Sequence, residues 1–371
     1  MGNMNAPLFD LDKPNVQATL NSYKPGNGLA WPILFPLKYN PKMDLKGIEG
    51  DEGIPVSADR VAFNSKAPIK SRKTVGSWSG RLGKISVSRE KDELEINDYN
   101  ELKVVAAANT EDAATAQYLV DMVYNDIDFC NNAMDYRVEI DALRIGCSGI
   151  QTHDKAIDGD DVTEDIINFN IPKENFKGVA AKWSDSENAD GLKDIADAQE
   201  ALAKQGKRKP QWAILEKSKF EELLKQKSTA RRLFPRADQS LITADMLSLQ
   251  SVNAYMSGKG WPQFLVLDAY ATVQGKDGKE TTFKPWNVNV VALSPVPSLG
   301  VTYWKPVPKT DGTAAIQADG HYYLLTRYSE VNPKKEVTMT EAYVQPALTN
   351  RRSLVLINTD ATDWNQGKSK A

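Results

Sequence analysis

Between Thr110 and Ile145 the apolar positions Ala116, Leu119, Val123, Ile127, Cys130, Met134 and Val138 recur at gaps of three or four residues. That is the spacing of one face of an α-helix. Thr110 followed by Glu111 and Asp112 supplies an N-cap and first-turn acids, and Gly146 supplies a stop. The pattern therefore predicts a helix over 110–146, on the order of 50 Å long, well beyond the usual globular length.

Upstream the pattern differs. Residues 1–45 are rich in Pro, Asn and Gly, with Pro25, Gly26 and Gly28 followed by the run Trp31 to Pro36. This reads as an extended arm whose apolar residues Trp31, Ile33 and Phe35 lie against the body of the chain or a neighbour. From Ile54 to Arg89 short β-prone runs are broken by Gly, and Lys84 to Arg89 alternates clearly, which predicts a long hairpin.

Downstream, residues 162–171 read as a strand, followed by alternating elements. Helices are expected at about 189–205, 217–233 and from 243, with strands at 212–215, 264–273 and 288–293. The alternation predicts a compact α/β unit over 184–292. The β-prone runs 300–304, 321–327 and 353–357 follow, and 359–371 is a polar tail. No internal repeat is visible.

Charge adds to this picture because it is unevenly distributed. The whole chain carries −3. Residues 54–89 hold eight bases (Arg60, Lys66, Lys70, Arg72, Lys73, Arg81, Lys84, Arg89) against Asp59, a net of +7. The 110–145 segment holds eight acids and two bases, a net of −6. The chain as a whole therefore has no basic footprint for nucleic acid, while two of its elements are complementary.

With 371 residues, 41% hydrophobic and 26% charged, the composition is ordinary for a globular chain of more than one packed unit. The longest apolar runs fall far short of the roughly 18 residues of a membrane span. The N-terminus lacks a secretory pattern, so folding in a cytoplasm is expected. Cys130 and Cys147, about 25 Å apart along one helix, cannot bridge and read as reduced, partly buried thiols.

Little in the sequence carries chemistry. There are two histidines, His153 in a polar loop and His321 opening an aromatic run, which leaves little material for a zinc site or a His-based triad. Nucleophile-elbow, His-Glu-x-x-His, Cys-x-x-Cys and phosphate-loop motifs are absent. Asp158 to Asp161 could ligate a hard cation but lacks the distant Glu of an EF-hand and reads as a solvated turn. No catalytic residue, metal or cofactor is expected, and the chain does not read as an enzyme.

The order of elements nevertheless resembles the Hong Kong 97-like fold of tailed-bacteriophage capsid proteins, an α+β fold. Several stretches are similar to the lambda-type capsid protein E family. They are Ile54 to Arg60 (IPVSADR) with Ala67 to Arg72 (APIKSR), Lys182 to Asp185 (KWSD) with Ala189 to Ile195 (ADGLKDI), and Phe283 to Leu293 with Leu299 to Tyr303. Near the end, Asn332-Pro333 and Thr338 to Leu356 fit the closing strands. The resemblance covers roughly residues 15 to 358.

It implies an N-terminal arm over 1–45, an extended loop over 46–95, and a peripheral domain over 96–183 and 293–358 with 110–146 as its spine helix. An axial domain follows over 184–292, and a C-terminal tail over 359–371. It further implies a major capsid protein that assembles with itself into hexamers and pentamers of an icosahedral head, in the host cytoplasm and then in the virion. Scaffold, portal and cement proteins and non-specifically held double-stranded DNA would be its other partners, with no membrane contact. The lambda-type group looks reinforced by a cement protein, so Lys66, Lys70, Lys73 and Asn358 are not expected to form the Lys to Asn crosslink of some other members.

Inter-subunit contacts are expected at Trp31 and Phe35 of the arm. A second contact would set Arg60, Lys66, Lys70, Arg72 and Lys73 of one subunit against Asp121, Asp128 and Asp135 of the next. Two other readings compete: an encapsulin-like nanocompartment shell, and a ligand-binding or enzymatic α/β protein built on 184–292.

Overall fold

A computed structural model describes residues 23–48, 77–108, 113–154, 166–235, 242–275, 277–309, 314–316 and 321–364. The first half holds the one-turn helix α1 (Trp31–Leu34), strands β1 (Leu37–Tyr39), β2 (Asp44–Ile48), β3 (Ser77–Arg81) and β4 (Gly83–Lys91), helices α2 (Glu93–Ala108) and α3 (Ala113–Ser148), and the short strands β5 (Ile150–Gln151), β6 (Ile167–Asn168) and β7 (Phe176–Lys177). Then come α4 (Gly191–Lys204), β8 (Trp212–Glu216), α5 (Lys217–Lys225), α6 (Lys227–Leu233), α7 (Leu249–Gly258), β9 (Gln263–Leu267), β10 (Ala271–Gln274), β11 (Glu280–Phe283) and β12 (Val290–Ser294). The chain closes with β13 (Gly300–Lys305), β14 (Ala314–Ile316), β15 (Tyr323–Val331), β16 (Lys334–Leu348) and β17 (Val355–Asn358).

One sheet runs β1-β13-β16-β15-β14, with β4 also paired to β16. The 15-residue β16 is its centre: β4 pairs along one edge, and β15 (against Lys334 to Ala342) and β13 (against Tyr343 to Leu348) share the other. Helix α3 lies along β16. The described part of its apolar stripe, Ile127, Cys130, Met134 and Val138, is buried, as the three-and-four spacing requires.

A second sheet, β7-β17-β12-β8-β9, is a wall shared by two cores. Side chains alternate across a strand, so Ile214, Val290, Ala292 and Leu356 enter the core under α3. Their neighbours Ala213, Leu215, Val291, Leu293, Val355 and Ile357 enter a second core with Trp183, Leu192, Leu223 and Met256. Strand β12 is buried at every position, which explains its unbroken apolar run.

Several expectations change here. From Tyr23 onward the N-terminal arm folds onto its own chain: Trp31 and Leu34 of α1 and Phe35 after it are buried, and β1 pairs in parallel with β13. Lys84 to Arg89 does form a strand, but it joins β16, and the hairpin is closed instead by β2 against β3. Residues 49–76, between β2 and β3, lie outside the described residues, as do the expected helix start at 110–112, the 158–161 acids, the 162–165 part of the expected strand and the expected tail from 365. Helix α2 was not expected. Residues 293–358 divide between the two sheets, because β17 pairs with β12.

Two local details have clear causes. Gly146 does not stop the spine helix: a Cβ there would meet Leu299 at 2.9 Å and Trp286 at 3.0 Å, so this glycine serves close packing. The helix ends at Gly149, whose φ of 75° suits the glycine-rich C′ position. The single helix expected over 217–233 is two, because Gln226 is extended. Its side chain is turned inward, accepting from Gly191 N at 2.9 Å and donating to the Trp183 carbonyl at 3.1 Å.

Candidate inter-subunit surface

Both cysteines and His321 are built into the packing of the chain. Cys130 and Cys147 are free and buried, and burial pushes both thiols up to about 11, away from reactive thiolate. His321 is buried against Tyr23 and Tyr323, with Nδ1 2.9 Å from the Tyr323 hydroxyl, and burial lowers its pKa and favours the neutral ring. Among the described residues no group of three or more His, Cys, Asp and Glu could hold a metal ion, and no helix is long and apolar enough to cross a membrane.

The acids of α3 fall into three environments. Asp135 and Glu139, one turn apart, are buried and hold the N-terminal segment by its backbone. Asp135 accepts from Gly26 N at 2.7 Å and from the Tyr23 and Tyr322 hydroxyls, each at 2.9 Å. Glu139 accepts from Ala30 N at 3.1 Å and Trp31 N at 2.7 Å. Burial raises both carboxyls above their ordinary values, and the donated hydrogen bonds only partly offset it.

Asp126 is paired within the chain, with Lys91 in contact and Arg89 Nε at 3.6 Å. The Arg89 guanidinium also stacks over Phe129, 4.8 Å from the ring centre. One base of the +7 segment and one acid of the −6 helix therefore meet inside the chain. Asp128 alone among the expected acceptors has a described, exposed carboxylate.

These positions correct two expectations. Trp31 and Phe35, 1% and 0% exposed, belong to the core of their own chain and cannot cover a neighbour. Asp135, 2% exposed, cannot receive a neighbour's lysine. The side chain of Asp121 and all of Arg60, Lys66, Lys70, Arg72 and Lys73 lie outside the described residues.

Helix α2 presents an acidic surface that the sequence pattern did not single out. Asp92, Glu93, Glu95, Asp98 and Glu101 are exposed, with Lys103 as the one base over 92–103. Asp92 Oδ1 caps the helix, accepting from Leu94 N and Glu95 N at 2.9 and 3.0 Å. Of its described side chains Tyr99 alone is fully buried, while Leu94, Val104 and Val105 are 73%, 70% and 52% exposed. A 16-residue helix held by so narrow a stripe is expected to be covered further in its working state. The run of acids flanking Ile96, Tyr99 and Leu102 was the available signal.

An open groove of about 470 Å³ lies between α1, Tyr136 of α3 and strand β9, with Ile33, Leu265, Val266 and Tyr270 on its walls. Its two carboxylates have partners within the chain, Glu139 on Ala30 N and Trp31 N and Asp268 on Lys217, and the groove is open rather than enclosed.

No protein-family model and no curated protein matches the chain. Solved structures do. One is a prophage protein of E. coli CFT073 named as a capsid protein, with a TM-score of 0.56 at 15% identity, covering 94% of this chain and 99% of that one. Another is a phage-related protein from Bordetella bronchiseptica RB50, with a TM-score of 0.50 at 16% identity, covering 95% and 98%. The chain has the Hong Kong 97-like capsid fold, an α+β architecture, over nearly its whole length.

Proposed function

We propose that this chain is the major capsid protein of a tailed bacteriophage, a structural subunit that assembles with itself into the icosahedral head enclosing the double-stranded DNA genome. The observation carrying this reading is the end-to-end likeness of fold, 94% of this chain against 99% of a prophage protein named as a capsid protein. Exposed apolar side chains on α2 and along the β9 groove support it, since a subunit whose work is mutual contact leaves such surface open when alone.

In this reading hexamers and pentamers form in the bacterial host cytoplasm, with scaffold, portal and cement proteins as further partners and DNA held non-specifically. Arg60, Lys66, Lys70, Arg72 and Lys73 of one subunit would lie against acids of the next. Asp128 and Asp121 of α3 and the exposed acids of α2 are the acceptors, in place of Asp135. Each exposed pair contributes only about 0 to 1 kcal/mol, which lets misplaced subunits leave before a shell closes.

Sedimentation of the purified chain, with scaffold supplied, tests the reading. Megadalton species are expected, in which each subunit buries in total far more than the roughly 1,600 Å² of a standard interface, and a compact monomer under all such conditions would overturn it.

A further inference from the structure

Among the described residues strand β9 ends its sheet with one edge open. Gln263 N bonds Gln211 O at 2.8 Å, so by alternation Gln263, Leu265 and Leu267 face β8, while Phe264 and Val266 face outward. The outward rung at Phe264 is closed by a side chain: Asn253 Oδ1 accepts from Phe264 N at 2.6 Å and its Nδ2 donates to Phe264 O at 3.0 Å. The amide group there stands in for a neighbouring strand. The next rung, Val266, lies on the wall of the groove.

A few residues on, β10 and β11 form a two-stranded ribbon with no third strand among the described residues. Ala271 is its one buried residue. Such a ribbon is marginal in water by itself. Gly275 N bonds Lys279 O at 2.9 Å, and the Thr272 and Thr282 hydroxyls meet at 2.8 Å. The ladder therefore bonds Val273 to Thr281 and turns the backbone of Glu280 and Thr282 to the outer edge of β11.

Unpaired strand edges are usually shielded, because they template pairing with another chain. This chain shields one rung of β9 with Asn253 and leaves the next, Val266, open to the groove, while β11 turns two rungs, Glu280 and Thr282, outward. We propose that β11 of a second copy of this chain docks in the groove and pairs with the open edge of β9, extending the sheet from one subunit to the next. The contact joins two different patches, so its repetition closes a ring or continues. It rests on the reading of the chain as a self-assembling subunit and names a surface for that assembly.

Proline at an outward rung removes the donor needed by the partner while leaving the strand's own ladder in place. The full-length variants Val266→Pro and Thr282→Pro should keep the wild-type circular dichroism spectrum and lose assembly by at least tenfold in light scattering. Independently, a Val266→Cys copy mixed with a Thr282→Cys or Glu280→Cys copy should give a crosslinked dimer on oxidation of assembled material, and neither should do so alone. Both native cysteines are buried and stay out of the reaction. If the proline variants fail to fold, the cysteine mixture decides.

Wild-type assembly with unaffected proline variants, or with no crosslink in either mixture, would overturn the β9–β11 contact and leave the capsid reading intact. Failure of the wild-type chain to assemble would overturn both.

Discussion

The Tyr322 hydroxyl donates to the Asp135 carboxylate across 2.9 Å, joining residues 187 positions apart in the chain. Both are buried, and the same carboxylate takes the Tyr23 hydroxyl and the Gly26 amide. Asp135 thus ties the spine helix to the incoming N-terminal segment and to the start of β15. Replacing it by Ala strands buried donors, each costing on the order of 1 to 3 kcal/mol. Asp135→Ala should lose about 3 kcal/mol in urea denaturation, and Asp135→Asn, which keeps an acceptor, clearly less.

The same carboxyls set a pH dependence of definite sign. Burial raises Asp135 and Glu139 in the folded chain, so the folded state binds protons more readily than the unfolded one. Their contribution to stability is fully present below the ordinary carboxylate range and is lost as pH rises through the raised folded values. The double variant Asp135→Asn, Glu139→Gln should therefore gain stability relative to wild type as pH rises from about 4 toward neutrality. A relative loss over that range, followed by chemical denaturation, would contradict the assignment.

Truncation separates the two parts of the N-terminal segment. Trp31, Leu34 and Phe35 are 1% exposed or less, and removing one large aromatic from such a site costs roughly 3 to 5 kcal/mol. Deletion of residues 1–22 should leave a cooperatively melting chain, whereas deletion of 1–35 should abolish the thermal transition in calorimetry.

Much of this fold is legible in the sequence where one periodicity dominates. The stripe from Ile127 to Val138 marks the spine helix, and the apolar run Val290 to Leu293 marks a strand, which the structure buries on both faces. What is not legible depends on partners distant in sequence. Gly146 reads as a stop because nothing local announces Leu299 and Trp286 beside it. Trp31 and Phe35 read as surface for a neighbour, since an apolar pair in a Pro-rich stretch does not say whose core it enters. Asp135 looks like one more acid on a charged helix until Tyr23, Gly26 and Tyr322 converge on it. Helix α2 was hidden because its inward stripe is only Tyr99 with the half-buried Ile96 and Leu102, too narrow to stand out among acids.

Charge reversal tests the proposed loop contact. Lys66→Glu, Lys70→Glu and Lys73→Glu together should leave the subunit folded and reduce assembly at least tenfold in light scattering at low salt. The loss should be smaller near physiological ionic strength, where the Debye length is about 8 Å. Reversing Asp98, Glu101 and Asp128 to Lys should restore part of it, and Asp135→Lys should instead unfold the chain. Unchanged assembly in the triple Glu variant would remove the contact.

Electron microscopy of the purified full-length chain, alone and with scaffold, bears most directly on the central claim. A shell subunit yields closed, hollow particles or five- and six-membered rings. Uniform single subunits in every condition, from a chain that is folded by circular dichroism, would contradict it.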